Sequence, residues 1–286
     1  MEEHGYSVVV FESSIYGALI ADREKYTGRE RLFQTLPTIW RTPDLLNLFH
    51  FLDESSTQPQ LYGVDPNGPY DLGFSRFLRK QLQAADFEQA DELFALDSVL
   101  WNVWLNQHQQ YGKHQADDKI HLNDTALYHQ SLVLFPAQSW ERQCLQNRIY
   151  LIQKMQLQGR EAVLFRDSIM ALNAEWVLNQ LEPNTKVILW AADMHLSYDW
   201  KAVDKKLTGK SMMMHLKERS ERTIRTLSLQ DFDQLKKSER KLYPEFEGGH
   251  LFVDRIPEPD SRSDQFDAIL FFKNVQPEKN YLKNEP

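Results

Sequence analysis

The chain has 286 residues, of which 42% are hydrophobic and 12% aromatic, a composition that excludes an intrinsically disordered protein. Its 33 basic and 41 acidic residues give a net charge of −8 without a basic block, which disfavours nucleic acid and anionic membranes as partners. A lone cysteine, Cys144, excludes an internal disulfide. We find no apolar run near the roughly 18 residues of a membrane span and no signal peptide, so we predict a cytoplasmic protein.

The first half of the chain predicts strands that alternate with helices. Continuous apolar residues predict a strand buried on both faces, followed by a polar, irregular stretch. A helix that begins near Pro43 and a short strand that ends at Asp65 come next. The predicted segments are the strand Ser7–Phe11, the helix Leu45–Leu52, the strand Leu61–Val64, a helical pattern from Asp71 to about Gln110, and a polar excursion over Tyr111–Pro136.

The second half predicts two long helices, a second strand buried on both faces, and a mixed tail. The segments are helices Ser139–Leu157, ending at Gly159, and Glu161–Leu181, the strand Lys186–Ala191, an amphipathic stretch Met212–Arg219, a strand Thr223–Leu229, a charged helix near Phe232–Lys241 and a final strand Ala268–Phe272. This order predicts an α/β fold with a mostly parallel sheet flanked by helices. We expect a single domain over residues 1–286, with a mainly helical subdomain or insertion at about 71–160 in the middle third.

Side chains able to move protons follow three of the predicted strands. Glu12 follows the first strand, Asp65 ends the short one, and Asp193 and His195 follow the strand near residue 190. Ligands bind outside the carboxyl ends of parallel strands, so we expect these groups at one edge of one sheet. His195 is a candidate acid or base, with helix capping or packing as the alternative. Glu12 could instead be an exposed loop residue, and Asp65 a turn former before Pro66.

One face of the predicted helix over residues 161–181 carries polar side chains. Arg166, Met170, Asn173 and Val177 recur at helical spacing, so a face that should be buried holds an arginine and an asparagine. These two residues could bind a substrate carbonyl or phosphate. They could equally pair with Glu12 or Asp193 at the strand ends.

Several known catalytic signatures are missing from the sequence. It contains no G-x-S-x-G elbow, no metal-binding motif such as H-E-x-x-H or C-x-x-C, and no phosphate-binding glycine loop. We therefore expect no cofactor and no metal, and an enzyme built on this chain would activate water with a histidine or carboxylate. A metal-dependent hydrolase that uses Glu12, Asp193 and His195 as ligands is a further alternative.

With these residues in view, the chain resembles the erythromycin esterase-like family over nearly its whole length. The order and spacing of six segments carry the resemblance. They are GYSVVVFESS at 5–14, LYGVD at 61–65, RDSIMALNAEWVL at 166–178, KVILWAADMHL at 186–196, MMMHLKER at 212–219 and FDAILFF at 266–272. The resemblance implies an α/β core with a helical subdomain and a cleft where water attacks a macrolide lactone.

The family pattern is matched at some positions and not at others. Glu12 matches the family's glutamate after a strand, and His195 matches the last histidine of its W-A-H-N-x-H segment. Arg166 and Asn173 match its R-D-x-x-M-x-x-N helix. The first histidine of the W-A-H-N-x-H segment is replaced by Ala192, and nothing matches the family's G-E-x-x-H-G motif, as if the chain starts one strand and one helix late. We therefore expect impaired activity.

The sequence thus predicts a hydrolase of an ester or lactone bond in a small-molecule substrate, through activated water. His195 is the expected acid or base, Glu12 orients the water or the histidine, and Arg166 stabilises the oxyanion. Asn173, Asp65 and Asp193 are the further candidates for substrate binding. The alternative is a non-catalytic binding or structural relative of the family. The sequence leaves the oligomeric state open.

Overall fold

The structure, a computed structural model, describes residues 5–67, 73–109, 125–198, 209–231, 250–254 and 268–272. The described residues divide into two compact units, one that ends at Trp190 and one that starts at Ala191. The expectation of a single domain over residues 1–286 stays a prediction.

The first unit contains a parallel sheet of three strands, as the sequence predicted. The strands are β1 (Tyr6–Ser14), β2 (Gln60–Asp65) and β3 (Lys186–Trp190), in the order β2-β1-β3. The central strand β1 is buried on both faces, as predicted from its apolar run. The same prediction for the second strand is wrong, because β3 pairs only with β1 among the described strands and its side chains are half-buried or exposed.

Three α-helices and a short 3-10 helix (Thr38–Trp40) join β1 to β2. The α-helices are α1 (Ile15–Arg23), α2 (Gly28–Thr35) and α3 (Pro43–Glu54). The irregular stretch predicted after the first strand is therefore wrong: residues 15–21 of α1 are all buried, which leaves no polar face and no amphipathic period to recognise. The helix that begins at Pro43 is confirmed, and the Thr42 hydroxyl caps it by accepting from the Leu45 N–H at 3.3 Å.

The described part of the middle third is helical, as the sequence predicted. Its long helical pattern is interrupted at Asp86, which has a φ of 54°. The polar excursion contains a helix, and Gly159 opens the following helix instead of ending the preceding one. These helices are α4 (Gly73–Ala84), α5 (Ala90–Gln109), α6 (Thr125–Leu132), α7 (Trp140–Met155) and α8 (Gly159–Asn179).

The core of the first unit includes two large clusters of hydrophobic residues. Val9 and Phe11 of β1 pack against α2 and α3, where Phe11 stacks on Phe49 at 6.0 Å between ring centroids. A second cluster joins α1 to the helices of the middle third and encloses an ion pair. In that pair, Arg148 Nε lies 2.9 Å from Asp97 Oδ1, and both side chains are buried. Charges buried this deeply need a partner of opposite charge, and Arg148 and Asp97 are each other's partner.

The second unit is described by itself. Its elements are α9 (Asp193–Leu196), α10 (Met212–Arg219), β4 (Leu227–Asp231), β5 (His250–Asp254) and β6 (Ala268–Phe272). Strand β6 pairs with β4 in parallel and with β5 antiparallel. The predicted amphipathic stretch and final strand are confirmed, the strand predicted from Thr223 begins at Leu227, and the helix predicted near Phe232–Lys241 lies outside the described residues. In the described parts of both units, every helix is too short or too polar to cross a bilayer.

Candidate functional site

The site begins where β1 and β2 change register at their carboxyl ends. The strands pair regularly up to Phe11 and Gly63, and then the register shifts so that Ser14 faces Asp65. A Cβ atom on Gly63 would lie 2.4 Å from the Ser14 carbonyl oxygen and 2.6 Å from that of Ser13. Only glycine permits this approach of the two backbones. The close approach places two carboxylates, Glu12 and Asp65, at adjacent strand ends.

Arg166 of α8 joins these two carboxylates. Its Nε donates to Asp65 Oδ1 at 3.1 Å and its Nη2 donates to Asp65 Oδ2 at 2.7 Å, a two-pronged pair. The same Nη2 donates to Glu12 Oε1 at 2.8 Å. The alternation of β1 explains the position of Glu12, since Phe11 faces α2 and α3 and the next side chain points to the opposite side. Of the alternatives that the sequence left open for Arg166, the pairing with Glu12 is the one observed.

The opposite charges of Asp65 and Arg166 keep both groups ionised in spite of their burial. Burial by itself would raise the pKa of Asp65, but the Arg166 guanidinium outweighs that effect and lowers the pKa to about 2. Burial opposes the charge of Arg166 too, yet Asp65 and Glu12 hold its pKa above the ordinary value. Arg166 is therefore a permanent cation at the edge of the sheet, and Asp65 is ionised at neutral pH and holds it.

Asn67 completes the surroundings of the Asp65 carboxylate. Its backbone N–H donates to Asp65 Oδ1 at 3.0 Å and its Nδ2 donates to Oδ2 at 3.1 Å. Asp65 thus forms the turn that the sequence offered as an alternative and also binds Arg166. Lys154 of α7 in turn donates from Nζ to Asn67 Oδ1 at 2.6 Å. Burial lowers the pKa of Lys154 to about 8, although the negative charge of Asp65 acts in the opposite direction.

Asn173 lies beside this group, but every hydrogen-bonding position of its side-chain amide is occupied by another protein group. Its Nδ2 donates to the Val64 carbonyl oxygen and to Asn147 Oδ1, both at 2.7 Å. Its Oδ1 accepts from Asn147 and from Gln143, both at 2.8 Å. An amide has two donors and two acceptor positions, so its hydrogen-bonding capacity is filled. We therefore expect Asn173 to support the site by holding β2 next to Asp65.

Sequence reasoning missed the polar residues of α7, although the signal was present. Gln143, Asn147 and Lys154 recur at intervals of 4 and 7 residues and so share one face of the helix. This face lies against the polar face of α8, where Gln143 and Asn147 bind Asn173. Two predicted helices joined by a short connection, each with a polar stripe, would have indicated the pairing.

His195 and Asp193, predicted at the same edge, belong to the second unit. His195 lies in the four-residue helix α9 and is buried, and its backbone N–H donates to the Ala192 carbonyl oxygen at 2.9 Å. The Asp193 carbonyl oxygen accepts from the Ser197 N–H at 2.9 Å. The expected meeting of His195 with Glu12 stays a prediction.

Two other chemistries find no support among the side chains in the described residues. No group of three or more His, Cys, Asp or Glu side chains there could hold a metal ion. Burial raises the pKa of the Cys144 thiol well above its ordinary value, which disfavours a reactive thiolate. Within this part of the chain, the ion-pair group at the strand ends is therefore the strongest candidate site.

Comparison with known proteins gives one family and several similar folds. The family model described as "Erythromycin esterase" matches residues 1–231. A Bacillus subtilis (strain 168) protein, "Putative hydrolase YbfO", is 24% identical over 264 residues, a match that covers 80% of this chain. The chain spans 58% of that relative's length.

Solved structures share the fold at low sequence identity. A Bacillus cereus protein matches with a TM-score of 0.71 at 16% identity, covering 95% of this chain and 81% of its own. A mutant of the erythromycin esterase EreC in its open conformation matches with a TM-score of 0.66 at 16% identity. This match covers 95% of this chain and 83% of the EreC chain. A succinoglycan biosynthesis protein matches with a TM-score of 0.68 at 13% identity. This match covers 95% of this chain and 80% of that protein's chain.

Proposed function

The chain belongs to the erythromycin esterase family, and from this membership we propose that it is a hydrolase that cleaves an ester or lactone bond with activated water. The observation that carries the proposal is the bridge from Arg166 to Glu12 and Asp65 at the carboxyl ends of two adjacent parallel strands. Ligands of open parallel sheets bind at this edge. The name of the Bacillus subtilis relative supports the same class of reaction.

The roles follow from the charges. Arg166 stays protonated at any working pH, so it can stabilise the oxyanion that forms when water attacks the carbonyl carbon. Asp65 holds Arg166 in place and is a poor base, because a carboxylate with a pKa of about 2 has little affinity for a proton. Glu12 shares Arg166 Nη2 with Asp65 and is assigned to orienting the attacking water. His195 keeps its predicted role as the acid or base.

The test is hydrolysis of an aryl acetate, a simple lactone and a 14-membered macrolide by the chain and two variants. Arg166→Lys keeps a charge but loses the two-pronged geometry, so we expect kcat/KM to fall by about 10²-fold. Glu12→Gln keeps the size of the side chain and should also lower kcat. Two exposed residues of α8 supply matched controls, Arg160→Lys and Glu161→Gln, which should behave like the unaltered chain. Equal rates in site and control variants would contradict the proposal.

A non-catalytic binding relative is the second candidate. The observation that favours it is Ala192, which stands where the family pattern has a histidine. Under this alternative, none of the three substrates is hydrolysed, while one of them raises the melting temperature of the chain through binding. Measuring hydrolysis and thermal stabilisation on the same samples separates the two candidates.

A further inference from the structure

The Asp65 carboxylate is clamped from two sides. Each of its oxygens accepts one hydrogen bond from Arg166 and one from Asn67. The Arg166 side of this clamp is rigid, because a guanidinium is planar and its donors have one arrangement. On the Asn67 side, the backbone N–H donates to Oδ1 whichever way the side-chain amide faces. The second bond does depend on the amide, because only its Nδ2 can donate to Oδ2.

Lys154 favours the orientation in which Nδ2 faces the carboxylate. Its ammonium group is a donor without an acceptor, and it donates to Asn67 Oδ1 at 2.6 Å. If the amide were turned over, its NH2 group would face the ammonium and its oxygen would face the Asp65 carboxylate. Both contacts would then be repulsive. In the observed orientation, Lys154 Nζ and Asn67 Nδ2 each face an acceptor.

We propose that Lys154 is a positioning residue of the site, which acts through Asn67 on Asp65 and so sets the direction in which Arg166 meets Glu12. These contacts run from α7 to the end of β2, and from there through Arg166 of α8 to the end of β1. Its role in catalysis rests on the proposed hydrolase function. Its role in orientation is independent of that function and can be measured separately.

Orientation can be followed by the hydrogen exchange of the Arg166 Nε–H, measured by NMR at neutral pH. The signal is assigned by its disappearance in Arg166→Lys. We expect Lys154→Met and Asn67→Ala to accelerate this exchange by about three- to tenfold, because the carboxylate that accepts the Nε–H is less firmly held. Lys154→Arg keeps a cationic donor and should restore slow exchange. Lys80→Met, at an exposed lysine of α4, is the control and should leave the exchange unchanged.

The Arg148 Nε–H provides an internal reference. This arginine is buried against Tyr16 and Phe74 of the second cluster and is paired with Asp97. Faster exchange of Arg166 without faster exchange of Arg148 supports positioning. Equal acceleration of both signals would mean general destabilisation and would overturn the proposal.

Kinetics provide the second readout. If Lys154 acts only through Asn67, the double variant Lys154→Met with Asn67→Ala should be no slower than Asn67→Ala alone. Each single variant should lower kcat by about three- to tenfold with little change in KM. Additive losses in the double variant, or a fall in kcat with unchanged Arg166 exchange, would overturn the proposal. Altered exchange in a chain that hydrolyses nothing would support positioning and count against the proposed hydrolase function.

Discussion

Arg166 and Asp65 form a two-pronged ion pair that joins helix α8 to the end of strand β2 across 101 residues of sequence. Both side chains are mostly buried, with 18% and 11% of their surfaces exposed. Such a pair is costly to break from one side only, because the remaining charge stays buried without its partner. The carboxyl edge of the sheet is therefore held by electrostatics as well as by packing.

Asp65 should make the stability of the chain depend on acid. Its pKa is about 2 in the folded state and 3.8 ordinarily, so its contribution is complete above about pH 4 and is lost as the pH falls towards 2. The expected loss is about 2 kcal/mol of unfolding free energy. Urea unfolding from pH 5 to 2 checks this, with Asp65→Asn expected to show a flatter pH dependence. Asp44→Asn, at an exposed position of α3, should keep the original slope.

Lys154 should act in the opposite pH range. Its pKa is lowered from 10.5 to about 8, so between these values the unfolded chain binds more protons than the folded chain. The unfolding free energy should therefore rise with pH from about 8 to 10.5, by at most roughly 3 kcal/mol from this group. Unfolding of Lys154→Met across this range should lack the rise, whereas Lys80→Met should retain it. An identical rise in Lys154→Met would contradict the assignment.

Gly63→Ala should disturb the strand ends directly. The added Cβ would meet the backbone oxygens of Ser13 and Ser14, which cannot turn aside as a flexible side chain would. We expect a loss of about 1–3 kcal/mol in unfolding free energy, as for overpacked sites. The same variant should lower hydrolysis, because Asp65 lies two residues further along β2. A variant of unchanged stability would show that β1 and β2 can separate at no cost.

His195→Gln tests the predicted acid or base. If His195 moves a proton in the reaction, kcat should fall by about 10²–10⁴-fold. His129→Gln, at an exposed histidine of α6, is the matched control and should leave kcat unchanged. Because His195 is buried, urea unfolding of both variants separates a loss of folding from a loss of proton transfer. A change in kcat below about threefold in a folded His195→Gln chain would exclude the role.

Local patterns in the sequence were sufficient for much of the fold and for part of the site. The strands β1 and β6 could be recognised because a run of consecutive apolar residues indicates a strand by itself. The polar ends at Glu12 and Asp65, and the face of α8 that carries Arg166, followed from the same reasoning. Helix α1 was not recognised from the sequence, because a segment buried on all sides has no periodic contrast between polar and apolar residues.

Only the tertiary structure decided how the polar side chains share their hydrogen bonds. Lys154 donates to Asn67, which lies 87 residues away in the sequence. The side-chain amide of Asn173 makes all of its hydrogen bonds with Val64, Asn147 and Gln143. These choices depend on the way α7 and α8 lie against one another and against β2. A single sequence records which residues are polar on each helix. It does not record which donor meets which acceptor, since that is settled by the burial of all of them together.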